Sequence, residues 1–408
     1  MRLALGPLHR PAPREKSNLH SSSYSDVGKN CGRSRRQMRL KWGFLIPLLA
    51  CGAWAQAPSE SAELRWMQIS APGIVISGLP WYGENGGELF RLPAQLKDTY
   101  NKSVWSLAQS PSGGRIRFRT NSRALAIRLE YPHPPGMLNM HAFGQSGVDL
   151  YVGNTYWGTA TADKNAHPGK IYEHVYFNFP DRPRAEREIT IYLPLYEGVK
   201  VLGLGVDAAA EIKPPRPFAL DKPVVYYGTS ITQGGCASRP AMDYEAILGR
   251  RLNIDFVNLG FSGTGKYEPE LARAVASIDA SCFVLDSSNI KTVEELRKVY
   301  APFIETIRSK HPDTPILAIS PIYSTQELTD DARKRSDEER RTFTREVISQ
   351  RIAGGDRNIQ LIEGTDLLGP HQGDGLVDGT HPNDLGFHWI ADALTGRLAS
   401  VLGLNVDR

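Results

Sequence analysis

The amino-acid sequence predicts an α/β fold class with two folded parts, an all-β sandwich followed by an α/β domain that is built on a parallel sheet. Its 408 residues exceed one typical domain. The first part shows period-2 alternation and frequent turn signals, whereas the second alternates short apolar runs with longer helical patterns. The composition, 41% apolar and 23% charged, is ordinary for a globular protein.

The predicted sandwich spans residues 58–215. Three stretches in it alternate in the manner of half-buried strands, namely 115–120 (RIRFRT), 125–131 (LAIRLEY) and 188–193 (EITIYL). Turn-forming stretches such as ENGG and YPHPPG interrupt the region. Short strands separated by such turns favour a sandwich or a jelly-roll-like fold.

A proline-rich stretch, EIKPPRPFALDKP at 211–223, marks the boundary to the second part, residues 216–408. Short apolar runs there are predicted strands, at 223–228, 254–260, 281–287, 314–320 and 358–364. The segments between and after them are predicted helices, at 242–252, 267–277, 291–310, 326–353 and 384–402. Repeated strand–helix units with almost continuously apolar strands indicate a parallel sheet that is covered on both faces.

One predicted helix contains a dense run of charge, DDARKRSDEERR at 330–341. Such a run could bind a charged partner, or it could simply face water. Because charged residues on a helix are usually solvated, we expect a solvated helix face.

The positive formal charge of the chain, +4, belongs to its N-terminal segment. Residues 1–55 carry 10 of the 48 basic residues and 2 of the 44 acidic ones, which leaves 38 basic and 42 acidic residues in the remainder. A slightly acidic body gives no electrostatic reason to expect a nucleic-acid partner. Nothing in the sequence implies a stable protein partner.

The N-terminal segment, residues 1–57, has the pattern of an export leader. From Met38, which we expect to be the true start, Arg39 and Lys41 precede an apolar stretch at 42–50 and a small-x-small cleavage site. The apolar stretch is shorter than the roughly 20 residues that span a bilayer. We therefore expect an exported protein, periplasmic or extracellular in a bacterium.

The cysteines agree with this interpretation but leave two questions open. Leader cleavage would leave only Cys236 and Cys282, and the sequence does not say whether these two pair. The stretch LLAC at 48–51 is similar to a bacterial lipobox, which makes a lipid anchor on Cys51 an alternative to plain release.

Polar residues follow the predicted strands at one edge of the sheet, where ligands of open parallel sheets bind. Ser230 lies two residues past the first strand, Gly260 ends the second, and Asn289 follows the third. Asp378 and His381 lie between the fifth strand and the last helix. Because residues without a common role would scatter over both ends of the sheet, we expect these five to form one site.

The residue types suit acyl transfer. A serine hydroxyl is a weak nucleophile until a base takes its proton, so His381 is the candidate base for Ser230. Asp378 can hold the imidazole tautomer and stabilise the imidazolium. The amides of Ser230 and Gly260 and the side chain of Asn289 can stabilise the oxyanion.

Simpler structural roles remain open for three of these residues. Asn289 could be a polar turn residue or a helix cap, and Gly260 could be a plain turn glycine. Asp378 could shape its loop as an Asx turn.

The arrangement resembles the SGNH hydrolases, the GDSL-type lipase and acylhydrolase superfamily. Their four blocks supply Ser, Gly, Asn and Asp-x-x-His, and Ser230, Gly260, Asn289 and the Asp378/His381 pair match in that order. The resemblance covers about residues 220–402 and is strongest to the branch with YGTSITQGGCASRP and NLGFSG. Upstream, GVDLY at 147–151 is similar to the GxDLY signature of the β-domain that precedes the catalytic domain in this branch.

The resemblance implies a flavodoxin-like, three-layer α/β/α hydrolase domain behind a β-sandwich, with no metal or organic cofactor. The chain departs from the superfamily pattern at Thr229, which stands where the first block has Asp, and in LDSSN, which lacks the usual Gly-x-Asn-Asp form.

We therefore expect an exported serine esterase that hydrolyses short-chain acyl esters, acetyl above all, on a small molecule or an acylated polysaccharide. A lipase or phospholipid acylhydrolase is the alternative within enzymes. A non-catalytic carbohydrate-binding protein that retains the fold is the alternative of a different class.

Overall fold

The computed structural model describes residues 63–288 and 290–405. The predicted leader (1–57), the start at Met38 and the lipobox Cys51 lie outside the described residues, as does Asn289. The predicted sandwich and the α/β part pack together as one compact unit.

The N-terminal part is a sandwich of two antiparallel sheets. One sheet has the order β1-β9-β4-β7, with β1 at Leu64–Met67, β4 at Ala124–Glu130, β7 at Ile171–Asn178 and β9 at Lys200–Asp207. The other has the order β10-β3-β8-β5-β6, with β2 paired to β3. Its strands are β2 (Val75–Ser77), β3 (Arg115–Thr120), β5 (Val148–Val152), β6 (Thr155–Ala160), β8 (Arg187–Tyr192) and β10 (Ile212–Lys213).

Alternation places one face of each central strand in the core of the sandwich. Ile116 and Phe118 of β3 are paired with Ile191 and Ile189 of β8, and all four side chains are fully buried. Such cross-strand apolar pairs fix the register, because a one-residue slip would turn them to the other face. The three strands expected from alternation are confirmed as β3, β4 and β8.

The C-terminal part has a parallel sheet of five strands in the order β12-β11-β13-β14-β15. The strands are β11 (Val224–Gly228), β12 (Phe256–Gly260), β13 (Cys282–Asp286), β14 (Ile316–Ile319) and β15 (Ile359–Ile362). This is the flavodoxin-like order 2-1-3-4-5, whose switch point lies beside the first strand. The predicted fold class is therefore confirmed.

Helices cover both faces of this sheet, and their side chains form two separate clusters with it. In chain order the helices are α1 (Lys102–Ala108), α2 (Ala142–Ser146), α3 (Ser230–Gln233), α4 (Tyr244–Leu252), α5 (Pro269–Ala276), α6 (Val293–Arg308), α7 (Asp331–Ala353), α8 (Gly364–Leu367) and α9 (Asp384–Leu402). Short 3₁₀ turns lie at Ala94–Thr99, Pro240–Met242, Thr325–Leu328 and Gly373–Gly375. Helices α5, α6 and α7 pack on one face and α4 and α9 on the other.

The sandwich part also contributes to the core of the α/β part. Trp81, Tyr100 and Val104 are buried in the cluster that contains α5 and α6. Arg91, 1% exposed, donates to the carbonyls of Gly260 (2.6 Å), Ser110 (2.8 Å) and Leu107 (2.9 Å). Burial lowers the pKa of Arg91 to about 9. A buried guanidinium thus holds the end of β12 to the N-terminal part.

The charged run 330–341 has the expected solvated face, on which Lys334, Arg335, Glu338 and Glu339 are exposed, but the other face of the helix is buried. Asp337, Arg340 and Arg341 of α7 are buried. Arg341 pairs with Glu327 and donates to the carbonyl of Pro321 (2.8 Å), while Arg340 donates to carbonyls of the loop after β13. Loops at this end of the sheet leave backbone carbonyls without ladder partners, and buried arginines satisfy them.

Among the described helices, none is long and apolar enough to span a membrane. Cys236 and Cys282 are both buried and free, so the question of their pairing is answered: they do not form a disulfide.

Candidate active site

Ser230 is presented by a tight turn at the end of β11. Thr229 caps α3, accepting from the Ile231 amide (3.0 Å), and its hydroxyl donates to Asp286 Oδ2 (2.8 Å). A Cβ on Gly228 would lie 2.4 Å from Thr232 Oγ1, so the turn admits only glycine there. The chain therefore enters α3 directly, with Ser230 as its first residue.

The structure brings Ser230, His381 and Asp378 together although about 150 residues separate them. Ser230 Oγ lies 2.8 Å from His381 Nε2. On the other side of the ring, His381 Nδ1 lies 2.8 Å from Asp378 Oδ2 and 3.1 Å from Oδ1. This chain of contacts can carry a proton from the hydroxyl to the imidazole, with the carboxylate fixing the ring.

The loop that carries Asp378 and His381 is held by its own backbone. Val377 N donates to the His381 carbonyl (2.8 Å), and Leu376 forms a bridge with Pro382. Asp378 Oδ1 accepts from the amide of His381 (2.9 Å) and from that of Thr380 (3.1 Å). Asp378 thus forms the Asx turn that was one of its two possible roles from the sequence, and it contacts the imidazole as well.

Asn139 is a site residue that sequence reasoning missed. It lies in the sandwich part, 239 positions before Asp378, and its Nδ2 donates to Asp378 Oδ2 at 2.9 Å. Partial burial acts to raise the pKa of Asp378, but the bonds from the His381 amide, Asn139 and the His381 ring outweigh it and hold that pKa well below its usual range. No sequence pattern could have found Asn139, because its stretch is irregular.

The prediction that the Gly260 amide is an oxyanion donor is wrong. That amide donates to Asn258 Oδ1 (2.9 Å), and a Cβ on Gly260 would lie 2.2 Å from Gln233 N. Gly260 is therefore needed where β12 and α3 pack closely. Gly263, three residues later in NLGFSG, lines the cavity in front of Ser230 with φ +64. The sequence contained a signal for Gly263, because ligands of a parallel sheet bind beyond the strand ends and Gly260 is still the last residue of β12.

Asn289 lies outside the described residues, and its role remains a prediction. Its neighbour Ser288 is fixed by Asp286 Oδ1, which accepts from the Ser288 amide (2.9 Å) and hydroxyl (2.6 Å). The start of the loop that carries Asn289 is thus anchored at the end of β13.

Ser230 and His381 open into a cavity of ≈ 350 Å³. Most of the residues that line it carry polar side chains, and the hydroxyl-bearing and charged ones besides Ser230 and His381 are Thr229, Ser262, Ser288, Ser324, Thr380, Lys291, Arg333 and Arg340. The larger apolar side chains are Ile231, Pro321, Ile322 and the ring of Tyr323. A long hydrocarbon chain in this cavity would leave these polar groups without hydrogen-bond partners.

The GVDLY motif explains how the sandwich supports this site. Asp149, fully buried, accepts from Arg239 Nη1 (2.8 Å), the Ala241 amide (3.1 Å) and Thr159 Oγ1 (2.6 Å). The hydroxyl of Tyr151 accepts from the same Arg239 nitrogen (3.0 Å). The motif therefore anchors the segment that follows α3, a few residues after Ser230.

Cys236 lies close enough to the triad to raise the question of a metal site. Its Sγ and ligand atoms of Asp378 and His381 lie within 4.8 Å of one another, a possible metal-ligand set. Burial, and then the charge of Asp378, raise the pKa of Cys236 to about 12, which keeps the thiol protonated. Both nitrogens of His381 are also engaged. The set therefore fits a metal poorly.

Comparisons with known proteins agree with both halves of the chain. Residues 221–399 match the GDSL-like lipase/acylhydrolase family, and residues 64–212 match the GxDLY family, the N-terminus of SGNH-hydrolase-type esterases. A search of curated proteins returned no match.

Solved structures show the same two-part fold. A protein named as a GDSL-like lipase from Bacteroides ovatus ATCC 8483 is 29% identical with a TM-score of 0.75, over 85% of this chain and 100% of that one. The salicylyl-acyltransferase SsfX3 of a tetracycline biosynthetic pathway is 21% identical with a TM-score of 0.69, over 84% and 99%. A family two carbohydrate esterase from Cellvibrio japonicus is 12% identical with a TM-score of 0.56, over 84% and 98%.

Proposed function

Because the chain belongs to the SGNH hydrolase superfamily of GDSL-like lipases and acylhydrolases, we propose that it is an exported serine esterase that removes short acyl groups, acetyl above all, from carbohydrate. The observation that carries the proposal is the continuous contact from Ser230 Oγ to His381 and from His381 to Asp378, at 2.8 Å each. We assign these residues as nucleophile, base and orienting carboxylate.

In the acylation step, His381 Nε2 takes the proton of Ser230 as Oγ attacks the ester carbonyl carbon. The carbonyl π electrons move to oxygen and give a tetrahedral oxyanion. The amides of Ser230 and Gly263 and the side chain of Asn289 are the proposed donors to it, with Gly263 in place of Gly260. When the intermediate collapses, the ester bond breaks and His381 returns the proton to the departing alcohol.

In the deacylation step, a water molecule takes the place of the alcohol. His381 removes one proton from it as its oxygen attacks the acyl-enzyme, and the second tetrahedral intermediate releases the acid and regenerates Ser230. Asp378 stays ionised throughout, since its low pKa keeps the carboxylate charged beside the imidazolium.

The shape and polarity of the cavity support a short acyl group. An acetyl group can pack against the few apolar side chains of the cavity, whereas a fatty acyl chain would also cover its hydroxyl and cationic groups and leave them without hydrogen-bond partners. This argues against the lipase alternative. The fold is also shared with a family two carbohydrate esterase from Clostridium thermocellum in complex with cellohexaose, 14% identical with a TM-score of 0.52, which supports carbohydrate as the carrier of the ester.

The proposal of export rests on the leader pattern that begins at Met38, with its basic residues, apolar stretch and small-residue cleavage site. N-terminal sequencing of the protein recovered from a bacterial host tests it. A mature N-terminus just after residue 55 supports export, a lipid-modified Cys51 supports the anchored form, and an intact leader contradicts both.

The test of the chemistry is acetate release from a panel of acetylated polysaccharides by the wild type and Ser230→Ala, with the exposed Ser309→Ala as the matched control. We expect Ser230→Ala to lose about 10³-fold or more in kcat while it stays folded. Full activity of this variant would refute the serine mechanism. Wild-type and Ser230→Ala proteins that bind the polysaccharide equally and release no acetate would favour the non-catalytic alternative.

The acyl-enzyme would also react with an alcohol. The assay therefore includes a small alcohol, and the ratio of acyl transfer to acid release separates an acyltransferase from an esterase.

A further inference from the structure

The cavity in front of Ser230 is lined by charged groups of one sign. Besides His381, its charged lining residues are Lys291, Arg333 and Arg340, and no lining residue in the described part of the chain carries a carboxylate. The acid of the triad, Asp378, lies behind His381 and is already held by four hydrogen bonds or ring contacts. The cations therefore face the cavity without a neighbouring anion on its wall.

Behind this wall, Asp286 accepts from Thr229 and Ser288, and the carboxylate that pairs with the cations of the wall is Asp337, which two arginines share. Its side chain is 1% exposed; it accepts from Arg333 Nε at 2.8 Å and also pairs with Arg340. Arg340 is itself 2% exposed and donates through Nη1 to the carbonyls of Ser288 (3.2 Å) and Ile290 (2.5 Å). Arg340 thus holds the loop before Lys291 against α7 and has little capacity left for a ligand.

Arg333 and Lys291 are the cations that remain available. The guanidinium of Arg333 uses only Nε for Asp337, and its side chain is 36% exposed. Lys291 is exposed and takes part in no ion pair among the described residues. Arg340 orients the carboxylate of Asp337, and that carboxylate in turn fixes Arg333 through Nε. The terminal nitrogens of Arg333, Nη1 and Nη2, can then bind an oxyanion with two parallel hydrogen bonds.

From this arrangement we propose that the ester hydrolysed here has a negatively charged group on its alcohol part, such as the carboxylate of an acidic sugar, which lies against Arg333 and Lys291. The inference rests on the proposed function, because a short acyl group leaves the alcohol part to carry the charge. Lys291, Arg333 and Arg340 outnumber Asp337, the carboxylate that pairs with both arginines, so a net positive charge remains to attract an anion to the mouth of the cavity and orient it there. A neutral xylan-like ester would not use them.

The test compares two acetyl esters that differ only in charge: 4-acetoxybenzoate, which is anionic at neutral pH, and the neutral 4-acetoxybenzamide. We expect the wild type to prefer the anion in kcat/KM by about 10-fold at low salt, and the preference to shrink as ionic strength rises. Arg333→Gln and Lys291→Gln should each lower the ratio of the two kcat/KM values about 3-fold. Lys334→Gln, an exposed cation next to Arg333 that does not line the cavity, is the matched control.

The proposal of an anion site is overturned if the ratio of the two kcat/KM values is near one in the wild type, or if it is the same in Arg333→Gln, Lys291→Gln and Lys334→Gln. In either case, hydrolysis of both esters that depends on Ser230 still supports the esterase function. Calorimetric binding of the products, 4-hydroxybenzoate and 4-hydroxybenzamide, gives a readout that needs no turnover. If the wild type binds 4-hydroxybenzoate more tightly than 4-hydroxybenzamide and Arg333→Gln reduces this difference, the anion site is supported. Absence of hydrolysis of both esters would count against the proposed function and not against the anion site. Equal binding of both products by the wild type overturns the anion site.

Discussion

Replacement of Asn139 by alanine tests whether the sandwich part contributes directly to the catalytic loop. The change removes one of the donors to Asp378, the Nδ2 bond of 2.9 Å, and leaves the two backbone amides and the imidazole in place. A hydrogen bond to a charged group stabilises by roughly 1.5–3 kcal/mol. Because the Asp378 side chain is 33% exposed, water replaces part of that, and about 1 kcal/mol is the expected loss.

This loss should appear in catalysis. We expect Asn139→Ala to lower kcat about 5-fold with little change in KM, since the carboxylate then holds the imidazole less firmly in the transition state.

The assay is hydrolysis of 4-acetoxybenzamide from about pH 5 to 9, with the exposed Asn165→Ala as control. A merely structural role of Asn139 would lower the melting temperature and leave the kcat of the folded protein unchanged. The same kcat as in the wild type would refute the reasoning, and so would a higher KM at an unchanged kcat.

Two further predictions concern stability. Asp149→Ala leaves the half-buried Arg239 and the Ala241 amide without their carboxylate, so we expect a loss of about 3 kcal/mol in the free energy of unfolding by urea; a loss below 1 kcal/mol would show that GVDLY does not anchor the segment after Ser230. Burial raises the pKa of Asp243 to about 7. Since the folded-state pKa lies above the unfolded one, near 3.8, the folded protein binds the extra proton, and this group's contribution to stability is lost as pH rises through about 7. Asp243→Asn keeps a side-chain acceptor for the Ala246 amide at the start of α4. The free energy of unfolding of this variant, relative to that of the wild type, should therefore rise by about 2 kcal/mol between about pH 5.5 and 8.5; a difference between the two proteins that does not change with pH would contradict this.

The sequence predicted the sheet and the triad because both follow from local patterns. The apolar runs of β11 to β14 are buried on both faces, and that pattern needs no knowledge of distant residues. Ser230 and His381 could be placed at one edge because the carboxyl ends of parallel strands all lie there. The assignment of Gly260 as an oxyanion donor was wrong because two glycines three residues apart fit the same block, and the one that lies beyond the strand end, Gly263, lines the cavity.

Residues that act through a distant partner could not be predicted in this way. The charged run of α7 has the composition of a solvated face, and only the unpaired carbonyls of the Ser288 and Pro321 loops explain why Arg340 and Arg341 are buried. Asn139 has no pattern at all, since its role depends on how an irregular stretch of the sandwich lies against the loop of Asp378.

The position of these residues argues that the sandwich is part of the catalytic apparatus rather than a separate binding module. Arg91 holds the end of β12, which leads to Gly263. Asp149 holds the segment after α3, and Asn139 holds the carboxylate of the triad. Each contact reaches a different loop around Ser230. A hydrolase part expressed without the sandwich would therefore expose the apolar face that Trp81 and Val104 cover and would leave these three loops without that support.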